Sequence, residues 1–395
     1  MKKWFFNLFT FHFIPVFLGL LFTFCVLFYF DQSLTSKSSK IQCIKGKQLM
    51  FRGTNANCAE NIQQEIELAA SLKNQHSITI FGSSELGPLT YSPYFFLPDS
   101  LHIPTVAFGH AHHQSFAMFC ELLAMQEQLK GTKICILVSP GWFETEGTNI
   151  EAFLEFVRPN FMKAIIKNDR IPLKYKMEIG RYITSNMSLI EEPNNSIEYF
   201  NNLYSSKNPA VVKSVLNKLN SRSEEVNYSV TVNNKKQVIP IEYTWENTEN
   251  RIQKSFISSV KSNKFFISDE YYKTYLLDKN GKYKHGKTDL FDVSTNRELA
   301  DFKLLVDLLK RYKCNASFVI QPLNPYHYDD LENYDEIIRA VEQEIKANDF
   351  PCYSMFVTKK QEYEPGTLTD VMHLGDYGWM KVNEFLVKTY YPKSY

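Results

Sequence analysis

One stretch of the chain decides the fold prediction: Ser77-Ile78-Thr79-Ile80-Phe81-Gly82-Ser83-Ser84-Glu85-Leu86. Its β-branched and aromatic half is typical of a buried strand, and the glycine marks the point where that strand ends. The Glu-Leu pair that follows predicts the start of a helix, with Glu85 as a first-turn carboxylate. A strand that ends at glycine and exposes a hydroxyl at the turn is a recurrent way of presenting a serine nucleophile.

Strand-like apolar runs alternate with amphipathic helical patterns along most of the chain. Strands are predicted at Thr105–Phe108, Lys133–Ser139, Ala316–Gln321 and 352–357, and helices at Asn57–Leu72, His113–Lys130, Leu331–Lys346 and from Gly375 onwards. A further helix is predicted after Thr295, where Thr-Asn-Arg-Glu has the spacing of a capping box. This alternation predicts an α/β fold with an open, mostly parallel sheet flanked by helices. The ligand site of such a sheet lies beyond the carboxyl ends of its strands.

The N-terminal residues predict a membrane anchor. The run from Phe5 to Phe30 contains no Asp, Glu, Lys or Arg, and it is longer than the roughly 20 residues that cross a bilayer core. It lacks the small-x-small cleavage site of a signal peptide. We therefore expect residues 1–4 in the cytoplasm, 5–30 as a transmembrane signal anchor, 31–52 as a tether and 53–395 as an extracytoplasmic domain.

The middle of the chain, about 174–291, differs in composition from the rest. It is rich in Asn, Ser, Lys and Tyr, and its aromatic residues recur throughout, which argues against disorder. We interpret it as a helical and irregular insertion in the α/β domain. Val230 and Val232 alternate with polar residues and predict a short exposed strand pair within it.

Composition and cysteine spacing exclude several classes of function. Lys plus Arg number 44 and Asp plus Glu number 43, so there is no general case for nucleic-acid binding. No Cys-x-x-Cys occurs, which excludes a redox dithiol or a zinc knuckle of that type. Cys43 and Cys58 could close a short loop in an oxidising space. The four cysteines in apolar or strand-like settings are expected to be buried thiols: Cys120, Cys135, Cys314 and Cys352.

Four histidines flank the predicted strand Thr105–Phe108: His102, His110, His112 and His113. They have no matching carboxylate or cysteine spacing, so we expect neither a metal site nor a cofactor. We expect them instead to form a polar loop at the mouth of the site.

A serine at neutral pH needs a base, and the base needs a group that orients it. The chain from Thr369 to Gly375 reads Thr-Asp-Val-Met-His-Leu-Gly, just ahead of the last predicted helix. In a loop, this spacing lets Asp370 bind one ring nitrogen of His373 while the other nitrogen faces the sheet edge. The histidine can then accept the serine proton, and the aspartate fixes its tautomer.

Four motifs together resemble the DltD family: Gly82–Leu86, Gly109–Gln114, Ser139–Phe143 and Asp370–Trp379. The resemblance covers nearly the whole chain. It implies a single-pass protein of the cell membrane with an SGNH-hydrolase-like body outside the cytoplasm. It also implies that this body helps to attach D-alanine as an ester to lipoteichoic or wall teichoic acid. The implied partners are a membrane-bound O-acyltransferase and a D-alanyl carrier protein.

The resemblance also implies roles for individual residues. The Gly-x-Ser position of the family falls on Ser84, which makes it the expected nucleophile, with Ser83 as the alternative. His373 takes the role of general base and acid, and Asp370 orients it. The backbone N–H groups of Ser84 and Gly109 are candidate oxyanion donors.

The chain departs from the family at one position of these motifs. The family usually has glutamine between the proline and the tryptophan of the third motif, where this chain has Gly141. A side-chain donor is therefore missing there, and Gln114 is the candidate to replace it as an oxyanion or substrate contact.

Three functions are compatible with these residues. The first is a serine acyl-transfer enzyme of teichoic acid D-alanylation. The second is a non-catalytic membrane docking protein of the same machinery, in which the three catalytic residues are vestigial. The third is an esterase or O-acyltransferase that acts on another cell-wall polymer.

Overall fold

The computed structural model describes residues 49–51, 68–69, 71–86, 89–109, 111–144, 146–206, 209–221, 244–288 and 292–392. Several predictions fall outside these residues: the anchor at 5–30, the pair Cys43 and Cys58, His110, and the strand pair at Val230 and Val232. Within the described ranges, no helix has both the length and the apolar character needed to span a bilayer.

The described strands are β1 (Leu49–Phe51), β2 (Ile78–Phe81), β3 (Thr105–Phe108), β4 (Lys133–Val138), β5 (Gly286–Lys287), β6 (Asn315–Ile320), β7 (Tyr328–Asp329) and β8 (Cys352–Ser354). Six of them form one sheet in the order β1-β3-β2-β4-β6-β8, and every neighbouring pair is parallel. The remaining two, β5 and β7, pair in parallel with each other.

The described α-helices are α1 (Pro93–Leu101), α2 (Ser115–Ala124), α3 (Ile150–Phe156), α4 (Pro159–Lys167), α5 (Leu173–Asn186), α6 (Asn195–Ser205), α7 (Pro209–Ser221), α8 (Trp245–Ser259), α9 (Arg297–Arg311), α10 (Asp335–Ala347) and α11 (Asp376–Tyr390). Short 3₁₀ turns lie at Gln126–Gln128, Pro140–Glu144, Met187–Leu189 and Leu331–Tyr334. A helical turn at Asp269–Tyr271 continues as a π-helical turn at Tyr272–Leu276.

Helices cover both faces of the central sheet. On one face, apolar side chains of β2, β4 and β6 pack against α2, α9 and α10. On the other face, the alternate residues of the same strands pack against α1, α8 and α11. Because β2, β4 and β6 are buried on both sides, their sequences read as continuous apolar runs. The predicted α/β class, with a mostly parallel sheet flanked by helices, is confirmed.

The described part of the predicted insertion contains four long helices, α5 to α8. Helix α5 packs on the same core as α2, since the rings of Tyr182 and Phe116 lie 4.6 Å apart. The boundaries of the insertion remain a prediction.

The parallel register brings the ends of four strands to one edge of the sheet. Phe81 at the end of β2 lies beside Phe108 of β3 and Ile136 of β4, and Val138 lies beside Ile320 of β6. The segments that begin at Gly82, Gly109, Ser139 and Gln321 therefore all leave the sheet at this edge.

Two local predictions were wrong for reasons that the structure makes clear. No helix opens at Glu85: residues 83–86 form a turn, and the next described helix, α1, begins at Pro93. Helix α9 is capped by Asn296 and not by Thr295, because the Asn296 side chain accepts a hydrogen bond from the Leu299 N–H. This places Glu298 one position closer to the cap than a capping box requires, and its carboxylate accepts the Ser115 N–H of α2 instead.

Three of the four cysteines expected to be buried are buried, namely Cys120, Cys135 and Cys314. Cys352 is exposed. It lies on β8, which has β6 as its one neighbour among the described strands, and the prediction for this residue was wrong.

Candidate active site

Residues 82–86, called the nucleophile turn below, leave the sheet directly after β2. The Gly82 N–H still donates to the Phe108 carbonyl at 3.2 Å, and the Leu86 N–H donates to the Ser83 carbonyl at 3.3 Å. These bonds close a tight turn in which Ser83 is buried and Ser84 is exposed. The turn therefore presents the hydroxyl of Ser84 to solvent.

The expected base lies in a small hairpin just before α11. Leu368 and Leu374 form an antiparallel bridge, and the Thr369 N–H donates to the His373 carbonyl at 2.9 Å. Inside the hairpin, Oδ1 of Asp370 accepts the N–H groups of Met372 and His373 at 2.8 and 2.7 Å. The Asp-x-x-His spacing thus forms a turn that holds the carboxylate in one orientation.

The structure brings the three predicted residues together. Asp370 Oδ2 lies 2.7 Å from His373 Nδ1, and His373 Nε2 lies 3.2 Å from Ser84 Oγ. With the ring proton on Nδ1 donated to the carboxylate, the Nε2 lone pair can accept the serine hydroxyl. The hydrogen bond with Asp370 raises the pKa of His373, and the nearby charges of Asp370 and Glu85 act in the same direction against burial. The arrangement has the geometry of a Ser-His-Asp triad.

Glu85 lies directly behind this triad and is buried. Its Oε2 accepts the Ser83 N–H at 2.7 Å, and its Oε1 accepts from the Gln321 side chain at 3.3 Å. The Ser139 side chain also hydrogen-bonds to it. Burial raises the pKa of Glu85, although these donors and His373 oppose the rise. One carboxylate therefore joins the ends of β2, β4 and β6, a role that the sequence did not predict.

Gly109 approaches the nucleophile turn so closely that only glycine fits. Its φ is +133°, and a Cβ at this position would lie 1.9 Å from the Gly82 carbonyl oxygen. The Ser84 and Gly109 N–H groups, the two candidate oxyanion donors, donate no hydrogen bond to the described part of the chain. Their role as oxyanion donors remains a prediction.

His113 does not line the mouth of the site as expected, since it is 1% exposed. Its Nδ1 lies 3.1 Å from the Gly82 carbonyl oxygen and its Nε2 lies 2.8 Å from Glu121 Oε2. The ring also stacks on Phe156 at 4.1 Å. The loop prediction was wrong for this residue, because the imidazole is buried and connects the loop after β3, called the β3 loop below, to the Gly82 carbonyl of the nucleophile turn.

Gln114 joins the β3 loop to the end of β4. Its Nε2 donates to the Trp142 carbonyl at 3.2 Å, and the residue is buried. Its predicted part in oxyanion or substrate binding is not tested by this contact. A Cβ added at Gly141 would have Ser139 Oγ as its nearest atom, at 3.8 Å, so the backbone there has room for a Cβ.

No group of three or more His, Cys, Asp or Glu side chains within the described ranges is arranged to hold a metal ion. Two of the four histidines singled out from the sequence, His102 and His112, are exposed and adopt positive φ angles.

Comparison of the sequence with known proteins identifies a family. The sequence profile described as DltD protein matches residues 55–391. Protein DltD of Bacillus subtilis (strain 168) is 26% identical, over 81% of this chain and 83% of that protein. Protein DltD of Staphylococcus aureus (strain NCTC 8325 / PS 47) is 23% identical, over 78% of this chain and 80% of that protein. Since the family profile spans five of the six strands of the central sheet, the loops that carry Ser84, Asp370 and His373, and the last helix, the chain belongs to the DltD family.

Proposed function

We propose that this protein is a serine acyl-transfer enzyme that helps to attach D-alanine as an ester to lipoteichoic or wall teichoic acid. The observation that carries the proposal is the continuous contact from Asp370 through His373 to Ser84, at 2.7 and 3.2 Å. Membership of the DltD family supports the choice of D-alanine as the acyl group and of teichoic acid as its acceptor.

The chemistry follows the two halves of acyl transfer. Ser84 Oγ attacks the carbonyl carbon of an activated D-alanyl donor while His373 Nε2 takes the hydroxyl proton. The Asp370 carboxylate stabilises the imidazolium, and the N–H groups of Ser84 and Gly109 stabilise the oxyanion. His373 then gives the proton to the leaving group, and a D-alanyl ester remains on Ser84. A polyol hydroxyl of the acceptor attacks this ester with His373 as base, which forms the product ester and restores Ser84.

The proposal includes a location and partners. Residues 5–30 would anchor the chain in the cell membrane, with an SGNH-hydrolase-like domain on the outer side, where the acceptor polymer is found. The absence of charged residues from this run supports an anchor. A membrane-bound O-acyltransferase and a D-alanyl carrier protein would supply the activated D-alanine.

Alanine variants of the triad test the catalytic role. Ser84→Ala and His373→Ala proteins, made at wild-type levels, are expected to leave cells without polymer-bound D-alanine, whereas Ser83→Ala should retain most of it. A fluorophosphonate probe should label wild type and Ser83→Ala but not Ser84→Ala. A normal level of polymer-bound D-alanine in either triad variant would contradict the enzyme hypothesis and favour the hypothesis of a non-catalytic docking protein. Loss of a different acyl group from the wall would point to an esterase or O-acyltransferase with another substrate.

A further inference from the structure

A basic segment lies beside the triad, and the triad chemistry does not use it. Residues 261–287, called the lysine segment below, contain seven lysines, three carboxylates and no arginine. All seven lysines are exposed. None forms an ion pair with a carboxylate in the part of the chain that the structure describes. A chain that is almost neutral overall therefore concentrates positive charge here.

The three carboxylates of the segment leave it with a formal charge of +4. Asp269 accepts the N–H groups of Lys261 and Ser262 at 3.0 and 2.9 Å. Asp278 accepts the N–H groups of Asn280 and Lys282, both at 2.8 Å. Both side chains stabilise turns of the backbone instead of pairing with ammonium groups.

The lysine segment is joined directly to the hairpin that carries the base. The Ser268 N–H donates to the Thr369 carbonyl at 2.9 Å, one residue before the triad aspartate. Asn324 donates its side-chain amide to the Phe265 carbonyl at 2.8 Å and its N–H to the Val371 carbonyl at 3.0 Å. Val371 is buried with Phe265 in one apolar cluster. The part of the segment around Phe265 and Ser268 therefore lies against the Asp370–His373 turn.

The packing of Tyr283 directs its two lysine neighbours outwards. The Tyr283 ring stacks on Phe265 at 4.1 Å, and its hydroxyl lies 2.6 Å from His327 Nδ1. Because Tyr283 lies in an extended bridge with Leu277, the side chains on either side of it point away from that cluster. Lys282 and Lys284 therefore present their ammonium groups to solvent on one side of the hairpin.

An aromatic pair connects this charged surface to the triad. Tyr271 is close enough to Asp370 for the carboxylate to contribute to its raised pKa, although burial is the main cause. The ring of Tyr275 lies 5.0 Å from that of Tyr271 and is 66% exposed. Tyrosines of this kind offer both an apolar face and a hydroxyl to a polyol chain.

We propose that the lysine segment is the docking surface for a polyol-phosphate chain, the acceptor of the acyl group. This inference rests on the proposed function, because it assigns the surface on which that acceptor is held. Lysine ammonium groups act as hydrated point charges that bind phosphate without a fixed geometry, which suits a flexible polymer with regularly spaced phosphates. An anionic membrane is the less suitable occupant, because Tyr275 is the only strongly exposed large apolar side chain of the described segment.

A binding measurement on the full chain in non-ionic detergent tests the surface without requiring turnover. The probe is fluorescently labelled, lipid-free poly(glycerol phosphate), titrated at low salt and at high salt. The test variant carries Lys273→Gln, Lys282→Gln and Lys284→Gln. The control carries Lys167→Gln, Lys303→Gln and Lys346→Gln, three exposed lysines of α4, α9 and α10. Both triple variants lose the same charge.

We expect Kd to rise about tenfold in the test variant and less than twofold in the control, since each lost phosphate contact removes a counterion-release contribution. High salt should weaken binding of the polymer by the wild-type protein and remove the difference in Kd between the two variants. Equal Kd values for the two variants would overturn the proposal. The same titration with phosphatidylglycerol vesicles serves as a second probe, and a binding defect seen only with these vesicles would also overturn it. Binding by Ser84→Ala at wild-type affinity would keep the surface valid even if the triad proved to be non-catalytic.

Discussion

At the scale of single residues, Glu85 has the most distinctive environment. It is a buried carboxylate whose neighbours are donors: the Ser83 N–H, the Gln321 amide and the Ser139 side chain. These donors favour the ionised form of the carboxyl, whereas burial, the largest influence, raises its pKa. When ionised, it adds to the field that raises the pKa of His373, although the hydrogen bond with Asp370 and the charge of Asp370 contribute more.

Glu85→Gln is therefore expected to lower the pKa of His373. The base is active only when it is neutral, so the acid limb of the kcat/KM profile should move to lower pH, by about half a pH unit to one unit. The profile is measured with a small activated ester as substrate. Glu127→Gln, at an exposed 3₁₀ turn remote in sequence from the triad, is the control and should leave the limb in place. An unmoved limb in Glu85→Gln would show that Glu85 acts only through the shape of the turn.

At the scale of elements, the site depends on a link between the β3 loop and the end of β2. The Gly82 carbonyl can only accept, so the His113 contact of 3.1 Å places a proton on Nδ1. The contact of 2.8 Å between Nε2 and the Glu121 carboxyl then needs a second proton between those two groups. His113 thereby holds the carbonyl that precedes the nucleophile turn, and Glu121, on α2, holds His113.

His113→Phe is expected to destabilise the protein by about 3 kcal/mol, because it leaves the buried Glu121 and the Gly82 carbonyl without their partner. Phenylalanine can keep the stacking on Phe156. Adding Glu121→Leu removes the unpaired carboxyl, so thermal stability should largely return. Activity should not return, because the Gly82 carbonyl still lacks its donor. Recovery of both kcat and stability in the double variant would contradict a role for His113 in positioning the turn.

At the scale of the whole molecule, the sheet and most of its flanking helices were predictable from the sequence, and the buried polar contacts around the site were not. The runs that became β2, β4 and β6 are continuous and apolar, and both faces of a parallel sheet require that pattern. The contacts among Ser84, His373 and Asp370 were predictable because each of these residues lies next to a strong element boundary, and their catalytic role stays a prediction. Glu85, His113 and Glu121 could not be assigned, since their partners are backbone groups and side chains brought near only by the fold. The local pattern was misleading at Thr295, because Glu298 forms a hydrogen bond with Ser115 of α2, distant in sequence, and not the bond of a capping box.

The contact of Glu298 also determines how stability responds to pH. The residue is 0% exposed; Oε1 accepts the Ser115 N–H at 3.0 Å, and Oε2 has no hydrogen-bond partner among the described residues. Burial, together with the nearby charge of Asp301, raises the pKa of Glu298 to about 8. Asp301 is also buried, and its pKa is raised to about 6 in spite of its pairing with Arg297. Helices α2 and α9 are thus joined through the Glu298 carboxyl, which holds its proton more tightly in the folded state.

From these shifts we expect the free energy of unfolding to fall as pH rises from about 4.5 to 8. In this window the folded chain keeps a proton on Glu298 that the unfolded chain releases. Glu298→Gln keeps the acceptor for Ser115 and removes the titration. The variant should be close to wild type in stability near pH 5 and exceed it by about 3 kcal/mol near pH 8. Thermal unfolding followed by tryptophan fluorescence at both pH values measures the difference, with the exposed Glu332→Gln as the control. If wild type and Glu298→Gln lost stability in parallel over this range, the protonated, buried Glu298 would be excluded as the link between α2 and α9.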